Sequence, residues 1–337
     1  MSSHLKNLVV TGGLGFIGSN FIRYILKTRR DIRVTNVDNE SVGSNPLSLQ
    51  DVIPGRHYRF VKGDLSDYQF TRRVLKSASI VVNFAAQTHV DRSIANAEPF
   101  FESNTRTVFN LVRAVRDMKV ESVVHVSTDE VYGSIDRGSF DENSPLNPSS
   151  PYSATKASAD LIVHAWNATY KLGIITLRCT NNFGPFQYPE KFIPKTIIRA
   201  LYGREIPLYG GGRQVRDWIF VGDFCSAIDL AIDKGDPGEV YNVSAGNELS
   251  NRDVAEGLLK LLTNPAARLV DVEDRPGHDY RYSLSSEKAR LKLGWKPAYK
   301  FDDVLAETVK WYREHAYWWK RVATARVLSG TPWKEHW

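Results

Sequence analysis

The chain has 337 residues, 42% hydrophobic and 24% charged, with a formal net charge of +6. That length allows a substantial core in one large domain or two unequal ones. The Lys and Arg residues are scattered rather than clustered, which argues against a nucleic-acid partner and suits a protein that attracts diphosphates. Two cysteines, Cys179 and Cys225, exclude a disulfide framework and form no zinc-type spacing with His, so no metal is expected. The chain opens without the basic-then-apolar profile of a signal peptide, and no apolar run approaches the ~18 residues of a membrane span. A cytoplasmic protein with no membrane partner is expected.

In chain order, Leu8–Thr11 reads as a strand and Ile17–Lys27 as a helix. Strands follow at Arg33–Asp38, Tyr58–Lys62 and Ile80–Phe84. Phe101–Met118 carries Val108, Leu111, Val112 and Val115 at helical spacing. Ser122–Thr128 is the next strand, Tyr152–Leu172 a long helix and Ile174–Arg178 another strand. This alternation predicts an α/β fold with a doubly wound parallel sheet. Beyond about residue 180, Gly- and Pro-rich loops separate short helices, which predicts a smaller, substrate-binding C-terminal domain. The expected division is 1–180, with 217–245 returning to it, against 181–216 and 246–337. Trp218–Val221 and Glu239–Val243 are read as strands rejoining the main sheet. Five of the eight tryptophans fall at Trp311 or later, where packing or an oligomer contact is expected.

The stretch VVTGGLGFIGSNF places Gly12, Gly15 and Gly18 between the first strand and the first helix. Glycines there permit a tight turn and let the backbone approach a pyrophosphate, which the helix N-terminus then favours. Asp38 ends the second strand, where an acid accepts hydrogen bonds from ribose hydroxyls and repels a 2′-phosphate. NAD is therefore favoured over NADP. Asp64 follows the third strand within reach of an adenine. Ala85 and Ala86 follow the fourth and leave room for a cofactor against the backbone.

Tyr152 and Lys156 lie one helical turn apart and share a face. An adjacent ammonium stabilises phenolate and lowers the phenol pKa, so such a Tyr can act as a base. The glycine turn, Ser127-Thr128 and Tyr152-x-x-x-Lys156 together resemble the extended short-chain dehydrogenase/reductase family, along nearly the whole chain. Within it, STDEVYG, HVDRS, NNFGP, PEKFIP, RQVRDW and RPGHD resemble the dTDP-glucose 4,6-dehydratases. The last ~20 residues carry none of these motifs.

The resemblance implies a Rossmann-type domain, bound NAD and a nucleotide-diphosphate sugar, with dTDP-glucose the expected substrate. It also implies a homodimer joined through a four-helix bundle built from Phe101–Met118 and Tyr152–Leu172. Cofactor contacts are implied for Gly12, Gly15, Phe16, Ile17, Gly18, Asp38, Asn39, Asp64, Leu65, Phe84, Ala85, Ala86, Ser103, Tyr152, Lys156 and Asn182. Thr88, Asn181, Lys191, Phe192, Pro207, Tyr209, Arg216, Asn251, Arg275 and His278 would line the substrate pocket. Arg216, Arg275 and Lys191 suit a diphosphate by charge and geometry, although each could equally form a surface salt bridge. His89 is read as structural.

A 4,6-dehydratase oxidises C4 of the sugar, removes the C5 proton while water leaves from C6, and returns the hydride to C6. That elimination needs a base and an acid, which two neighbouring carboxylates in different protonation states can supply. The resemblance makes Glu130 the base at C5 and Asp129 the acid at C6. Thr128 would hold the C4 hydroxyl, Tyr152 would take its proton, and Lys156 would tune Tyr152 and hold the nicotinamide ribose. Adjacent residues on a strand face opposite ways, so both acids reach one sugar only if the strand ends by residue 129. The alternatives are a UDP-sugar 4-epimerase or decarboxylase, and a non-catalytic NAD sensor or scaffold. Related decarboxylases and GDP-mannose dehydratases typically carry Ser in place of Asp129, epimerases usually lack both acids, and sensors usually lose the Tyr-Lys pair.

Overall fold

The computed structural model describes residues 5–337. Numbered along the chain, β1 (Lys6–Thr11), β2 (Ile32–Asp38), β3 (Tyr58–Lys62), β4 (Ile80–Asn83), β5 (Ser122–Thr128) and β6 (Ile175–Cys179) belong to one sheet. Beyond them lie β7 (Asn181–Phe183), β8 (Ile206–Tyr209), β9 (Val215–Phe220), β10 (Val240–Val243), β11 (Glu248–Ser250) and β12 (Leu269–Val272). The main sheet has the order β10-β6-β5-β4-β1-β2-β3, and every neighbouring pair is parallel. The expected doubly wound α/β fold is therefore present. The chain starts at β1, runs outward to β3, then crosses back to β4. That reversal opens a crevice at the C-terminal ends of β1 and β4, where ligands of such sheets bind.

Covering on both faces explains the uninterrupted apolar strands. Leu8 and Val10 pack on Phe21, Ile22 and Ile25 of the helix Phe16–Thr28, and on Phe224 and Ile228 of the helix Val221–Lys234. Val9 faces the other way, toward Leu111, Val112 and Val115 of the helix Thr107–Met118 and Ala159 and Val163 of the helix Pro151–Tyr170. The element expected over Phe101–Met118 opens with a π-helical turn, Phe101–Arg106, which carries Asn104 into the interior. Its side chain pins the loop after β4: Gln87 N–H donates to Asn104 Oδ1 at 2.8 Å, and Asn104 Nδ2 donates to Gln87 O at 3.0 Å.

One strand departs from expectation. Val240–Val243 does return to the main sheet, beside β6, but the strand containing Trp218 does not. It is β9, which pairs parallel with β7 and antiparallel with β11 in a separate three-stranded sheet. The cause is packing. Trp218 lies edge-on to Phe183 and joins a second core with Ile193, Ile197, Leu258 and Val309, which draws β9 away from the main sheet. The chain returns through the helix Val221–Lys234 and β10. Trp318 and Trp319 are buried in this second core, with Trp311 packed against it, so three tail tryptophans do serve packing. No described helix is long and apolar enough to cross a membrane.

Candidate functional site

The glycine turn stands at the crevice. Gly12 has φ +69°, and a Cβ there would lie 2.8 Å from the backbone nitrogen of Ala85. A Cβ on Gly18 would lie 2.4 Å from the carbonyl oxygen of Gly12. The turn thus fits tightly between β4 and the helix that follows it. Gly15 caps that helix with no side-chain hydrogen bond, so the first-turn amides are left to an incoming acceptor.

Asp38 anchors the turn from the end of β2. It accepts from Leu14 N–H at 3.0 Å, Glu40 N–H at 2.8 Å and the Ser44 hydroxyl at 2.7 Å. Burial raises its carboxyl pKa against those hydrogen bonds. Asn39 Nδ2 donates to Asp64 Oδ2 at 2.9 Å, which joins the two positions expected at the adenosine end. Gly12, Asp38, Asp64, Phe84, Ala85, Ser103, Tyr152, Lys156 and Asn182 all line one cavity of ≈ 260 Å³. So do Gly15, Phe16, Ile17, Gly18, Asn39, Leu65 and Ala86, which brings the whole expected cofactor set together. The side-chain oxygens of Asn181 and Asn182 are buried there without partners. A glycine cradle, two acids at one end and unpaired acceptors at the other fit an extended dinucleotide.

A second cavity of ≈ 150 Å³ adjoins the first and shares Glu130, Asn181, Glu190 and Lys191 with it. Phe192, Pro207, Tyr209, Arg216, Asn251, Arg275 and His278, the residues expected at the substrate, line this smaller cavity together. Thr88, expected at the substrate, lines the larger cavity together with Thr128, Asp129 and Tyr152. Arg216 spends its donors on backbone, on Val215 O at 2.8 Å and Asp279 O at 3.0 Å, and lies 4.3 Å above the Tyr282 ring. Among the described residues it forms no ion pair, and its charge acts on Glu130 and Asp129 across the site. Arg275 Nη1 donates to Asp91 Oδ1 at 2.6 Å, while its Nε is buried without a partner. His278 is held by Asp274 and set edge-on to Tyr209; burial, then the Arg275 charge, lowers its pKa to about 3. His89, read as structural, sits in this wall with Nε2 3.1 Å from Glu190 O, and burial lowers its pKa to about 4.

The acid pair occupies the turn that the reading required. β5 ends at Thr128, and a 3-10 turn takes over at Asp129–Val131. Thr128 caps it, its Oγ1 accepting from Glu130 N–H at 3.3 Å and donating to Asp129 Oδ1 at 3.0 Å. Asp129 lines only the larger cavity, whereas Glu130 lines both. Asp129 Oδ2 and Glu130 Oε2 are buried without partners. Burial and then the Glu130 charge push the Asp129 carboxyl well above its ordinary range, and burial also raises Glu130. The two carboxylates therefore need not share one protonation state.

Tyr152 and Lys156 share a face of the helix Pro151–Tyr170, which opens on a capping box of Ser150 and Ser153. In the protein alone, burial outweighs any tuning of the phenol. Burial, then the Glu130 charge, drives Tyr152 well above its usual pKa. Lys156 Nζ donates one of its hydrogen bonds to the Val126 carbonyl at 2.8 Å. The protein's own groups thus favour the neutral phenol, and ionisation calls for a further positive charge at the site. Asp91, Glu190 and Lys195 also line the smaller cavity and are not among the residues expected there. Lys195 follows Lys191 by four residues, a spacing that shares a helix face and could have revealed it.

Comparisons with known proteins agree with this geometry. The family model described as GDP-mannose 4,6 dehydratase matches residues 9–308. A dTDP-glucose 4,6-dehydratase of Streptomyces niveus is 43% identical over 329 residues, covering 96% of this chain and 98% of its own. The low-salt glycan biosynthesis protein Agl12 of Haloferax volcanii is 44% identical over 306 residues, covering 91% and 98%. Among solved structures, DesIV of Streptomyces venezuelae, a dTDP-glucose 4,6-dehydratase with NAD bound, superposes with a TM-score of 0.90 at 44% identity. It covers 94% of this chain and 99% of its own. With its glycine turn, Tyr-Lys pair and doubly wound sheet, the chain belongs to the extended short-chain dehydrogenase/reductases, in the family described as GDP-mannose 4,6 dehydratase.

Proposed function

We propose that the protein is an NAD-dependent nucleotide-sugar 4,6-dehydratase acting on dTDP-glucose. One observation carries the reading: two carboxylates, the buried Asp129 and the half-buried Glu130, stand on one turn and line one cavity with Tyr152, each with a buried, unpartnered oxygen. An epimerase has no use for such an acid. The relatives that bear this activity by name cover nearly the whole chain.

When bound, NAD would accept the hydride from C4, return it to C6, and bring a positive charge to the cavity that Tyr152 lines. Thr128 orients the C4 hydroxyl, and Tyr152, in the ionised form that a neighbouring positive charge favours, receives its proton. Glu130, which borders both cavities, takes the C5 proton once the C4 ketone has acidified it. Asp129 gives its proton to the C6 oxygen, which leaves as water. A proton returns to C5 as C6 is reduced, so the sugar loses one water overall and its oxidation level is conserved. Lys156 holds the nicotinamide ribose, and Asp38 sits at the adenosine ribose. Arg216, Arg275 and Lys191 face the diphosphate, and buried cations are effective there because little solvent screens them. Residues 1–180 serve the cofactor and most of 181–337 serve the nucleotide sugar.

A homodimer is part of this reading. Phe101 (51% exposed), Phe109 (43%), Leu161 (57%) and Tyr170 (46%) stand on the two long neighbouring helices. Two such helices from each subunit would form a four-helix bundle and cover that apolar face. A cytoplasmic setting is supported by two buried, free cysteines.

Mass spectrometry after incubation with dTDP-glucose, and separately with UDP-glucose, tests the proposal. Loss of one water from dTDP-glucose, with deuterium entering C5 in heavy water, is expected. Retained NAD with no water lost from either sugar would overturn it in favour of epimerisation or decarboxylation.

A further inference from the structure

Asp91 is 2% exposed and follows the first residue of the short helix Val90–Ala95. Its two oxygens are divided between two walls of the smaller cavity. Oδ1 accepts from Arg275 Nη1 at 2.6 Å, and Oδ2 accepts from the Tyr209 hydroxyl at 3.0 Å. The Arg275 Nε that remains is buried without a partner. Tyr209 is fixed from behind: the Trp333 ring lies edge-on to it, with centroids 4.8 Å apart. Trp333 belongs to the turn Pro332–Lys334, which packs on the helix that carries Asp91. Arg92 of that helix lies 5.5 Å from the Trp337 ring. The last residues of the chain thus close a ring of contacts around Asp91.

We propose that Asp91, braced by Trp333 through Tyr209, is a positioning residue that aims Arg275 at the diphosphate of the nucleotide sugar. The inference rests on the function proposed above. A guanidinium recognises phosphate by direction as well as charge, and a carboxylate on one Nη fixes the plane of the fork while leaving its other edge free. Tyr209 prevents that carboxylate from rotating. The C-terminal segment, which carries none of the family motifs, acquires a role at the binding site through this chain of contacts.

The test is steady-state kinetics with dTDP-glucose together with calorimetry of dTDP binding. Asp91→Asn is expected to raise KM roughly tenfold, as for loss of a charge-assisted contact, while kcat changes little. Bound NAD, which occupies the other cavity, should be retained in full. Asp91→Asn added to Arg275→Ala should do no further harm, because one residue acts through the other. Trp333→Ala should raise KM less, and Trp333→Phe should restore it; this arm stands even if Asp91→Asn does not fold. Additive losses in the double variant, or a fall in kcat at constant KM, would overturn the proposal in favour of a structural salt bridge. Wild-type protein that binds dTDP while Asp91→Asn binds it equally well overturns this inference alone. Failure of the wild type to bind dTDP overturns the functional reading and the inference with it.

Discussion

The Thr128 hydroxyl donates to Asp129 Oδ1 at 3.0 Å, while Asp129 Oδ2 is buried with no partner. That second oxygen belongs to a residue that lines the cavity, so a proton placed on it has no acceptor within the protein among the described residues. The arrangement separates oxidation from elimination. Asp129→Asn should lower the dehydration rate by roughly 10²–10⁴-fold, the range for loss of a general acid. Oxidation of C4 should persist, visible in a single turnover as absorbance of the reduced nicotinamide. Equal loss of both steps would remove Asp129 from the role of acid.

The same hydrogen bond sets a pH limit. The rate should rise as Glu130 loses its proton and fall as Asp129 loses its own. The Thr128 hydroxyl lowers the Asp129 pKa, against burial and the Glu130 charge that raise it. Thr128→Val should therefore move the alkaline limb of the kcat profile to higher pH, while reducing kcat throughout. A shift to lower pH would contradict the assignment.

Stability follows the same sign. A carboxyl whose pKa is raised on folding contributes stability that is fully present below its unfolded value of about 3.9 and is lost as pH climbs through the folded value. Asparagine has no proton to lose. Asp129→Asn should match the wild type in Tm below about pH 4 and become progressively more stable than it as pH rises. A constant difference across pH would mean that Asp129 is not strained by ionisation.

Much of this was legible in the sequence because it is local. β-branched runs such as LVV at residues 8–10 are apolar on both faces, as a sheet covered by helices demands. The acid pair could be placed in a turn because pleat alternation forbids both acids from facing one ligand on a strand. What escaped depends on contacts between distant residues. Asp91 meets Arg275 across 184 positions, and no local pattern marks either as the other's partner. Trp218 looked like a strand residue of the main sheet, and only its packing against Phe183 and Phe192 shows which sheet it joins. Spacing puts Lys156 and Tyr152 on one face, but it cannot report that the ammonium also donates to the Val126 carbonyl.

The glycine turn gives a prediction that separates folding from cofactor binding. At Gly12 an added methyl meets the backbone of Ala85 at 2.8 Å, and φ is +69°. A non-glycine residue forced into such a conformation costs about 1–3 kcal/mol. Gly12→Ala should lower Tm and also shed NAD, since relief of the contact moves β4 against the cofactor cavity. Loss of stability with full NAD content would show that the turn packs the fold without cradling the dinucleotide.

The apolar face of the two long helices makes the last prediction. Leu161 is 57% exposed on the helix Pro151–Tyr170, and Phe109 is 43% exposed on the helix that packs beside it. A face of this kind is covered in a dimer or left as a liability. Leu161→Arg places a charge at its centre without touching the buried residues Tyr152, Lys156 or Val163 of the same helix. Light scattering should give the mass of two chains for the wild type and of one for the variant at micromolar concentration. Because Tyr152 and Lys156 open the helix that carries Leu161, the monomer should also lose turnover while its circular dichroism stays unchanged. A wild-type monomer at that concentration would refute the interface, and a fully active monomeric variant would show that the site does not depend on it.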